Sequence, residues 1–347
     1  MADKKAKIEN NDTKLLAIDL GYSSVKVAYY NKTGVLQFDK YISAVAKIKD
    51  PLEADDDVMF KLGLDYYILG TPALKVPRSL LLKLEDFDDL KAAYPVWISY
   101  LLKRYGGVQN FDHVVIGLSM AFSDRADELL TALRESLMIN DPNYFICLPQ
   151  GLSCKLAYAE CGLDIREISK RNDFRMRDFL ILDGGYLTCD ICNVTNGTAS
   201  AGATVGIPNT GVICISLDVM DYLWKQFEMK VSIKEAQTIV DNAGQFTRRG
   251  IEYNISDKID EFTKNYLDNV LKLLEEKFGE AVDAVEGILV CGGLAYFFKK
   301  YLEDPDMKRR IEKHFPVSFL RFPSADSEYF NAYSYLRIAE KLIENNK

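Results

Sequence analysis

The sequence has no long hydrophobic run and no hydrophobic leader. None of its apolar stretches approaches the ~20 residues that a bilayer-spanning helix requires. The N-terminus lacks the apolar core of a secretory signal peptide. Residues 1–12 are highly charged, which predicts a disordered tail. Together these features predict a cytoplasmic protein with no membrane partner.

Histidine is scarce, and the cysteines form no regular framework. The chain contains two histidines, His113 and His314, and seven cysteines, an odd number that is typical of free thiols in a reducing cytosol. The CxxC motif Cys189-x-x-Cys192 has no second copy. On a strand, positions i and i+3 point to opposite faces, so these two thiols are poorly placed to bind one metal ion. A structural metal site is therefore disfavoured.

An excess of positive charge is also missing. The chain has a formal net charge of −8, which argues against a nucleic-acid-binding surface over most of its length. Its 347 residues, 48% hydrophobic and 27% charged, are sufficient for two globular domains, each with a substantial core. We therefore expect a two-domain protein that does not bind nucleic acid directly.

The stretch from Leu15 to Tyr29 predicts a buried strand, a tight turn and a second strand. Asp19 leads into the turn, and Gly21 stands where a left-handed backbone or a close ligand approach is tolerated. Hydroxyls follow at Ser23 and Ser24, and a positive charge follows at Lys26. Such a turn suits a phosphate chain with its metal ion. A turn of this kind without any ligand is common, and that alternative stays open for the isolated motif.

The same pattern occurs a second time in the chain. Asp183-x-Gly185-Tyr186 matches Asp19-x-Gly21-Tyr22, and a hydroxyl residue follows two positions after the tyrosine in both copies. A later apolar strand ending in glycine also occurs in each half, at 114–117 and at 288–293. Such long-range similarity predicts two related halves. Two facing turns could hold one phosphate chain from opposite sides.

Apolar periodicity and turn residues predict the remaining elements. Strands are predicted within 35–47, 59–69, 114–118, 144–148, 287–290 and 317–320, with residues 40–80 forming a small insertion. Residues 202–211 are predicted to form a flexible loop. Helices are predicted at 92–105, 123–137, 152–161, 212–227, 233–244, 256–278, 295–301 and 325–344, with Ser123, Ser232, Ser256 and Ser324 as caps.

Several of these motifs together resemble the actin/Hsp70/sugar-kinase superfamily. They are the paired Asp-x-Gly hairpins, the Pro149-Gln150 crossover, the Cys291-Gly292-Gly293 strand end and the Asn331-Ala332 pair of the last helix. The chain is most similar to the prokaryotic actin-like ATPases of the ParM/StbA plasmid-segregation type, over nearly all of the sequence after residue 12. The resemblance implies an α/β actin-like fold of two pseudo-repeated RNase-H-like domains with a nucleotide cleft between them. Domain I would comprise 13–150 completed by the helix at 325–345, and domain II would comprise 151–324.

The resemblance also implies roles for individual residues. Asp19 and Asp183 would hold Mg²⁺ through water, and Gln150 would orient the attacking water, at a position where ParM itself usually has Glu. The residues implied to contact the nucleotide lie in the two turns and in the later glycine loop: Gly21, Tyr22, Ser23, Ser24, Lys26, Gly184, Gly185, Tyr186, Thr188, Gly292, Gly293, Ala295 and Tyr296. Simpler roles stay open for some of them. Gln150 could cap the following helix, Lys26 could face solvent, and Tyr296 could be a packing residue.

The implied function is an ATPase that polymerises with bound nucleotide and depolymerises after hydrolysis. ATP with Mg²⁺ is the expected cofactor, with GTP as an alternative. The expected partners are further copies of the chain, which would form a filament, and a DNA-binding adaptor that carries plasmid DNA. Two alternatives remain: a filament with another cytoskeletal or organelle-positioning role, and a non-polymerising relative such as a small-molecule kinase or an adaptor.

Overall fold

A computed structural model describes residues 14–49, 59–84, 86–155, 158, 176–323 and 327–345. The chain divides into two compact units, Met1–Asp173 with Glu328–Lys347, and Phe174–Ser327. The domain boundary at residue 150 that the resemblance implies stays a prediction. The predicted tail at 1–12, the cap at Ser324 and half of the predicted helix 152–161 lie outside the described residues.

The first unit is built on a five-stranded mixed sheet. Its strands begin with β1 (Leu15–Leu20), β2 (Ser24–Tyr30) and β3 (Leu36–Ile42). A separate three-stranded sheet of β4 (Val45–Ile48), β5 (Met59–Leu62) and β6 (Asp65–Leu69) lies within the predicted insertion. The main sheet is completed by β7 (His113–Leu118) and β8 (Phe145–Pro149), in the order β3-β2-β1-β7-β8. The first three strands pair antiparallel, and β1, β7 and β8 pair parallel.

Helices cover both faces of this sheet because the side chains of a strand alternate between faces. Leu16 and Ile18 belong to a core with α1 (Phe87–Arg104) and α2 (Ala126–Leu137). Ala17, on the opposite face, packs with the C-terminal helix (Phe330–Asn345). All six residues of β1 are buried. The strand that carries Asp19 is thus fixed from both sides.

The second unit repeats this topology. Its sheet contains β9 (Phe179–Gly184), β10 (Thr188–Thr195), β11 (Thr198–Pro208), β14 (Ile288–Cys291) and β15 (Leu320–Arg321), in the order β11-β10-β9-β14-β15. Between β11 and β14 lie α3 (Ile213–Phe227), α4 (Ile233–Asp241), the hairpin β12–β13 (Gln245–Arg248, Ile251–Asn254) and α5 (Ser256–Ala284). The helices α6 (Gly292–Tyr301) and α7 (Pro305–Ile311) follow β14. The internal similarity detected in the sequence therefore corresponds to two sheets of equal strand order.

Some predicted elements differ from those observed. Residues 202–211 were predicted to be a loop but mostly belong to β11, which pairs with β10 from Thr188↔Pro208 onwards. The hairpin β12–β13 was not predicted, and the strand predicted at 317–320 is mainly a 3-10 turn, Val317–Phe319. The C-terminal helix begins at Phe330, later than the predicted residue 325, which lies outside the described residues.

The predicted helix caps were correct at one of the three described positions. Ser232 forms a complete capping box with Glu235 at the start of α4. Ser123 lies inside a 3-10 turn capped by Ser119, so it is not the cap of α2. Ser256 is the first residue of α5 and follows the N-cap Ile255. Within the described part of the chain, no helix is both long and apolar enough to cross a membrane.

Candidate functional site

The first Asp-x-Gly motif forms the predicted tight turn between β1 and β2. The Gly21 N–H donates to the Ser24 carbonyl at 3.1 Å, which closes the turn. Ser43, which directly follows β3, makes two hydrogen bonds to this turn. Its N–H donates to the Ser23 carbonyl at 3.1 Å, and its hydroxyl donates to the Gly21 carbonyl. Ser24 is buried, whereas Ser23 is exposed at the tip.

The carboxylate of Asp19 is buried below this turn and has two polar partners. Only 3% of Asp19 is exposed. Gln150 Nε2 donates to Asp19 Oδ1 at 2.6 Å, and Lys26 Nζ lies 3.5 Å from Oδ2. Lys26 stands directly opposite Asp19 in the antiparallel register. Because a buried carboxylate is costly without compensation, these contacts explain how the charge is tolerated. The structure thus brings together three residues that the sequence proposed for the site.

The side chain of Tyr22 is partly buried. It packs against the core beneath α1. Burial, with Asp86 and Asp89 nearby, raises the pKa of its hydroxyl above the usual value. Tyr22 therefore contributes its backbone to the turn, while its side chain packs against the core.

The second Asp-x-Gly motif repeats the geometry of the first. The Gly185 N–H donates to the Thr188 carbonyl at 2.9 Å, the counterpart of the bond between Gly21 and Ser24. Asp183 is 5% exposed and Thr188 is 6% exposed. Both turns thus combine the same closing bond with a buried aspartate. The repeat is therefore one of local structure as well as of sequence.

The second turn is supported by a helix. The Val212 N–H donates to the Gly185 carbonyl at 3.0 Å, and the Ile213 N–H donates to the Tyr186 carbonyl at 2.8 Å. Gly211 lies so close to the Tyr186 carbonyl that a Cβ at this position would overlap it. The first residues of α3 are thus attached to the turn through main-chain atoms.

Gly292 approaches Asp183 very closely at the start of α6. Its φ is +66°, and a Cβ at this position would lie 2.6 Å from both Asp183 Oδ1 and the Gly184 carbonyl oxygen. Gly184 in turn leaves no room for a Cβ because Leu294 packs against it. Two of the glycines named by the sequence analysis, Gly184 and Gly292, are therefore adjacent. Gly293 is less constrained, since its nearest neighbours would be 3.6 Å from a Cβ.

Ala295 and Tyr296 of α6 differ in exposure. Ala295 is fully buried and its methyl group belongs to the core of the second unit. Tyr296 is 66% exposed, and its ring contacts Phe297 at a centroid distance of 5.3 Å. Of these two side chains, only that of Tyr296 offers a surface to a ligand.

The structure adds two residues that the sequence analysis missed. Asp190 stands opposite Asp183 in the register and is 2% exposed. It follows Asp183 by seven positions, as Lys26 follows Asp19, so the repeat itself contained the signal. Burial, with Asp190 and Asp183 nearby, raises the pKa of the Cys189 thiol. Ser43 had no such signal because its contact with Gly21 spans 22 positions.

Comparisons with known proteins agree with this geometry. The family model for the C-terminal part of the archaeal MreB-like actin homologues matches residues 181–304. No curated protein sequence matches the chain. Three solved structures resemble it over nearly its whole length.

The first is a 15-stranded ParM filament from Clostridium botulinum, with 14% identity, a TM-score of 0.69, and coverage of 95% of this chain and 99% of that one. The second is the archaeal actin homologue Ta0583 in complex with ADP, with 17% identity, a TM-score of 0.67, and coverage of 95% and 100%. The third is Bacillus thuringiensis ParM with AMPPNP, with 15% identity, a TM-score of 0.58, and coverage of 96% and 100%. The chain therefore has the α/β actin-like fold, and it is similar to ParM and to archaeal actin homologues.

Proposed function

We propose that this protein is an actin-like ATPase that binds Mg-ATP, polymerises, hydrolyses the nucleotide and acts in plasmid DNA segregation. One observation carries the proposal. Each unit has the same turn, closed by the same backbone bond and placed beside a buried aspartate, Asp19 in the first and Asp183 in the second. A repeated turn of this chemistry suits the two sides of a polyphosphate chain.

Both turns have groups suited to phosphate. In the first, the Ser23 hydroxyl is exposed at the tip, and the Lys26 ammonium supplies positive charge beside Asp19. In the second turn, the consecutive glycines Gly184 and Gly185 leave the backbone before Tyr186 without side chains. Tyr296 and Gly293 follow at the start of α6, where an exposed ring and a bare backbone suit a base and its sugar.

The residues present also fit a magnesium ion. Mg²⁺ in nucleotide sites keeps several waters and takes only one or two carboxylates together with the phosphates. Asp19 and Asp183, each a buried carboxylate beside its own turn, would hold it through water. When bound, the ion would neutralise charge on the phosphates.

Hydrolysis requires an oriented water more than a strong base. Gln150 donates from Nε2 to Asp19, which leaves its Oε1 as the acceptor for a proton of water. An amide fixes the orientation of that water without removing its proton. Lys26 would offset the negative charge that develops on the phosphate oxygens. In this proposal Gln150 and Lys26 share Asp19 as their common support.

The hydrolysis is tested by phosphate release. Asp183→Asn keeps the shape of the side chain and removes its charge, so we expect the rate to fall by roughly 100-fold or more. Asp221→Asn, at a 57% exposed position on α3, is the matched control and should hydrolyse ATP like the wild type. An Asp183→Asn rate equal to that of the control would remove Asp183 from the mechanism.

Polymerisation is tested by sedimentation with ATP, GTP, ADP and AMPPNP. We expect a pelletable polymer with ATP and AMPPNP that disappears as ATP is hydrolysed. The filament of the Clostridium botulinum ParM and the nucleotides bound to the other two relatives support this expectation. No polymer with any nucleotide, combined with ATP turnover only in the presence of a sugar, would point instead to a small-molecule kinase.

The archaeal matches favour a second candidate, a filament with another cytoskeletal role. The two candidates differ in their cargo. A plasmid-segregating filament should pull down plasmid DNA through an adaptor, and deletion of its gene should raise the rate of plasmid loss. A deletion that leaves plasmid retention unchanged but alters cell shape or organelle position would support the second candidate.

A further inference from the structure

Asn331 makes a buried contact with the segment that carries Gln150. It is the second residue of the C-terminal helix and is 8% exposed. Its Oδ1 accepts from the Gly151 N–H at 3.2 Å and from the Cys154 thiol at 3.3 Å. Both donors are buried as well. Asn331 therefore links the C-terminal helix to the segment after Gln150, which lies 180 positions earlier in the sequence.

Gln150 directly follows β8, and its backbone is hydrogen-bonded to the sheet. Its N–H donates to the Leu118 carbonyl at 2.8 Å, which continues the pairing of β7 with β8. Directly afterwards, Gly151 adopts a φ of +66° and turns the chain away from the sheet. Its N–H points at the side chain of Asn331. A buried N–H without an acceptor costs ~1–3 kcal/mol, so this turn depends on Asn331.

The turn decides where the Gln150 amide lies. Its backbone is fixed on one side by Leu118 and on the other by the bond between Gly151 and Asn331. Its side chain reaches Asp19 at 2.6 Å, a short bond that leaves little tolerance for a backbone shift. The Gln150 carbonyl also accepts from the Leu152 N–H at 2.6 Å. Loss of the bond to Asn331 would leave the buried Gly151 N–H without this acceptor and shift the turn, which would move the amide relative to Asp19.

We propose that Asn331 is a positioning residue for ATP hydrolysis, which acts by locking the Gly151 turn so that the Gln150 amide is held against Asp19. This inference rests on the function proposed above. Asn331 Oδ1 contacts the Gly151 N–H and the Cys154 thiol, one residue and four residues after Gln150. Its removal should therefore lower kcat and leave nucleotide affinity nearly unchanged, because a displacement of ~1 Å near a reacting group costs up to ~100-fold in rate.

The test compares Asn331→Ala with Asn331→Asp and Ser334→Ala. Asn331→Asp keeps an oxygen acceptor in the first turn of a helix, where a negative charge is favourable, so it should retain most of the wild-type kcat. Ser334, on the same helix, is fully buried and donates to the Phe330 carbonyl without contacting the turn at Gly151. Asn331→Ala should lower kcat at least tenfold with a Kd for a fluorescent ATP analogue within twofold of wild type. Ser334→Ala should leave kcat unchanged.

A double-mutant cycle separates positioning from general destabilisation. If Asn331 acts through Gln150, Asn331→Ala should cause no further loss of kcat in a Gln150→Ala background. Additive losses, or an Asn331→Ala enzyme with the wild-type kcat, would overturn the inference. Equal losses in Asn331→Ala and Ser334→Ala would also overturn it, since both would then report only damage to the helix. A wild-type protein that hydrolyses no nucleotide would overturn the proposed function and this inference together.

Discussion

Substitution of Gly292 tests the second turn, because a Cβ at this position would be unfavourable for two independent reasons, the backbone conformation and the close packing. A residue with a Cβ at a φ of +66° loses roughly 1–2 kcal/mol. The same Cβ would lie 2.6 Å from Asp183 Oδ1 and from the Gly184 carbonyl, so both must move. Forcing a group into such a packed site costs ~1–3 kcal/mol. Gly292→Ala should therefore destabilise the protein by about 2–5 kcal/mol.

The measurement is thermal unfolding followed by circular dichroism, with and without nucleotide. For a domain of this size, ~1 kcal/mol corresponds to ~2–4 °C, so the melting temperature of Gly292→Ala should fall by roughly 5 °C or more. Saturating ADP at ~100 times its Kd should stabilise the wild type by ~2.7 kcal/mol. This gain should be reduced in the variant because Asp183 has been displaced.

Gly279→Ala provides the matched control. Gly279 lies in α5, and a Cβ there would have no neighbour within 4 Å. Alanine in a helix is favoured over glycine by roughly 0.5–1 kcal/mol, so this variant should melt at or above the wild-type temperature. If Gly292→Ala melts like Gly279→Ala and keeps the full response to ADP, the close approach of Gly292 to Asp183 is wrong.

Two further predictions concern groups outside the candidate site. Ser232→Ala removes the capping box with Glu235 and should cost ~1 kcal/mol in urea unfolding, whereas Ser123→Ala, at the position wrongly predicted as a cap, should change stability by less than ~0.5 kcal/mol. Hydrogen bonding to Arg125 lowers the pKa of Glu128 to about 2 from 4.5, so the stabilisation by this pair should be complete above pH 4.5 and be lost as the pH falls towards 2. A carboxyl NMR titration should place the Glu128 midpoint near 2, and Arg125→Gln should return it towards 4.5; a midpoint that does not move in the variant would contradict the assignment.

Local sequence signals predicted most of the scaffold. The alternation of apolar residues around Asp19 and Asp183 predicted both hairpins, and the duplication of the motif pointed to the actin-like fold, which the structure and its neighbours confirm. The long helix was predicted to end at Phe278, and this is the residue at which α5 is kinked before it continues to Ala284. Each copy of the motif lies within a few neighbouring residues, which is why a single sequence revealed both copies.

Other features depended on distant partners. The segment 202–211 is rich in Gly and Thr and was predicted to be a loop, yet its pairing with β10 makes it a strand, because sheet formation follows the neighbour as much as intrinsic propensity. The bond from Gln150 to Asp19 spans 131 positions, and that from Gly151 to Asn331 spans 180. The resemblance identified Gln150 and Asp19 singly. No local pattern could predict that they touch, or that Asn331 holds the turn beside them.

The first turn is supported by a side-chain bond in addition to a main-chain bond, and this difference from the second turn has a practical consequence. The first turn depends in part on the Ser43 hydroxyl, a side-chain group that Ser43→Ala removes cleanly. The second is held by main-chain N–H groups of Val212 and Ile213, which no side-chain substitution deletes. The support of the first turn can therefore be reduced by one substitution that leaves these bonds of the second turn in place. This asymmetry offers a way to weaken the first turn alone, and so to measure how much it contributes to binding.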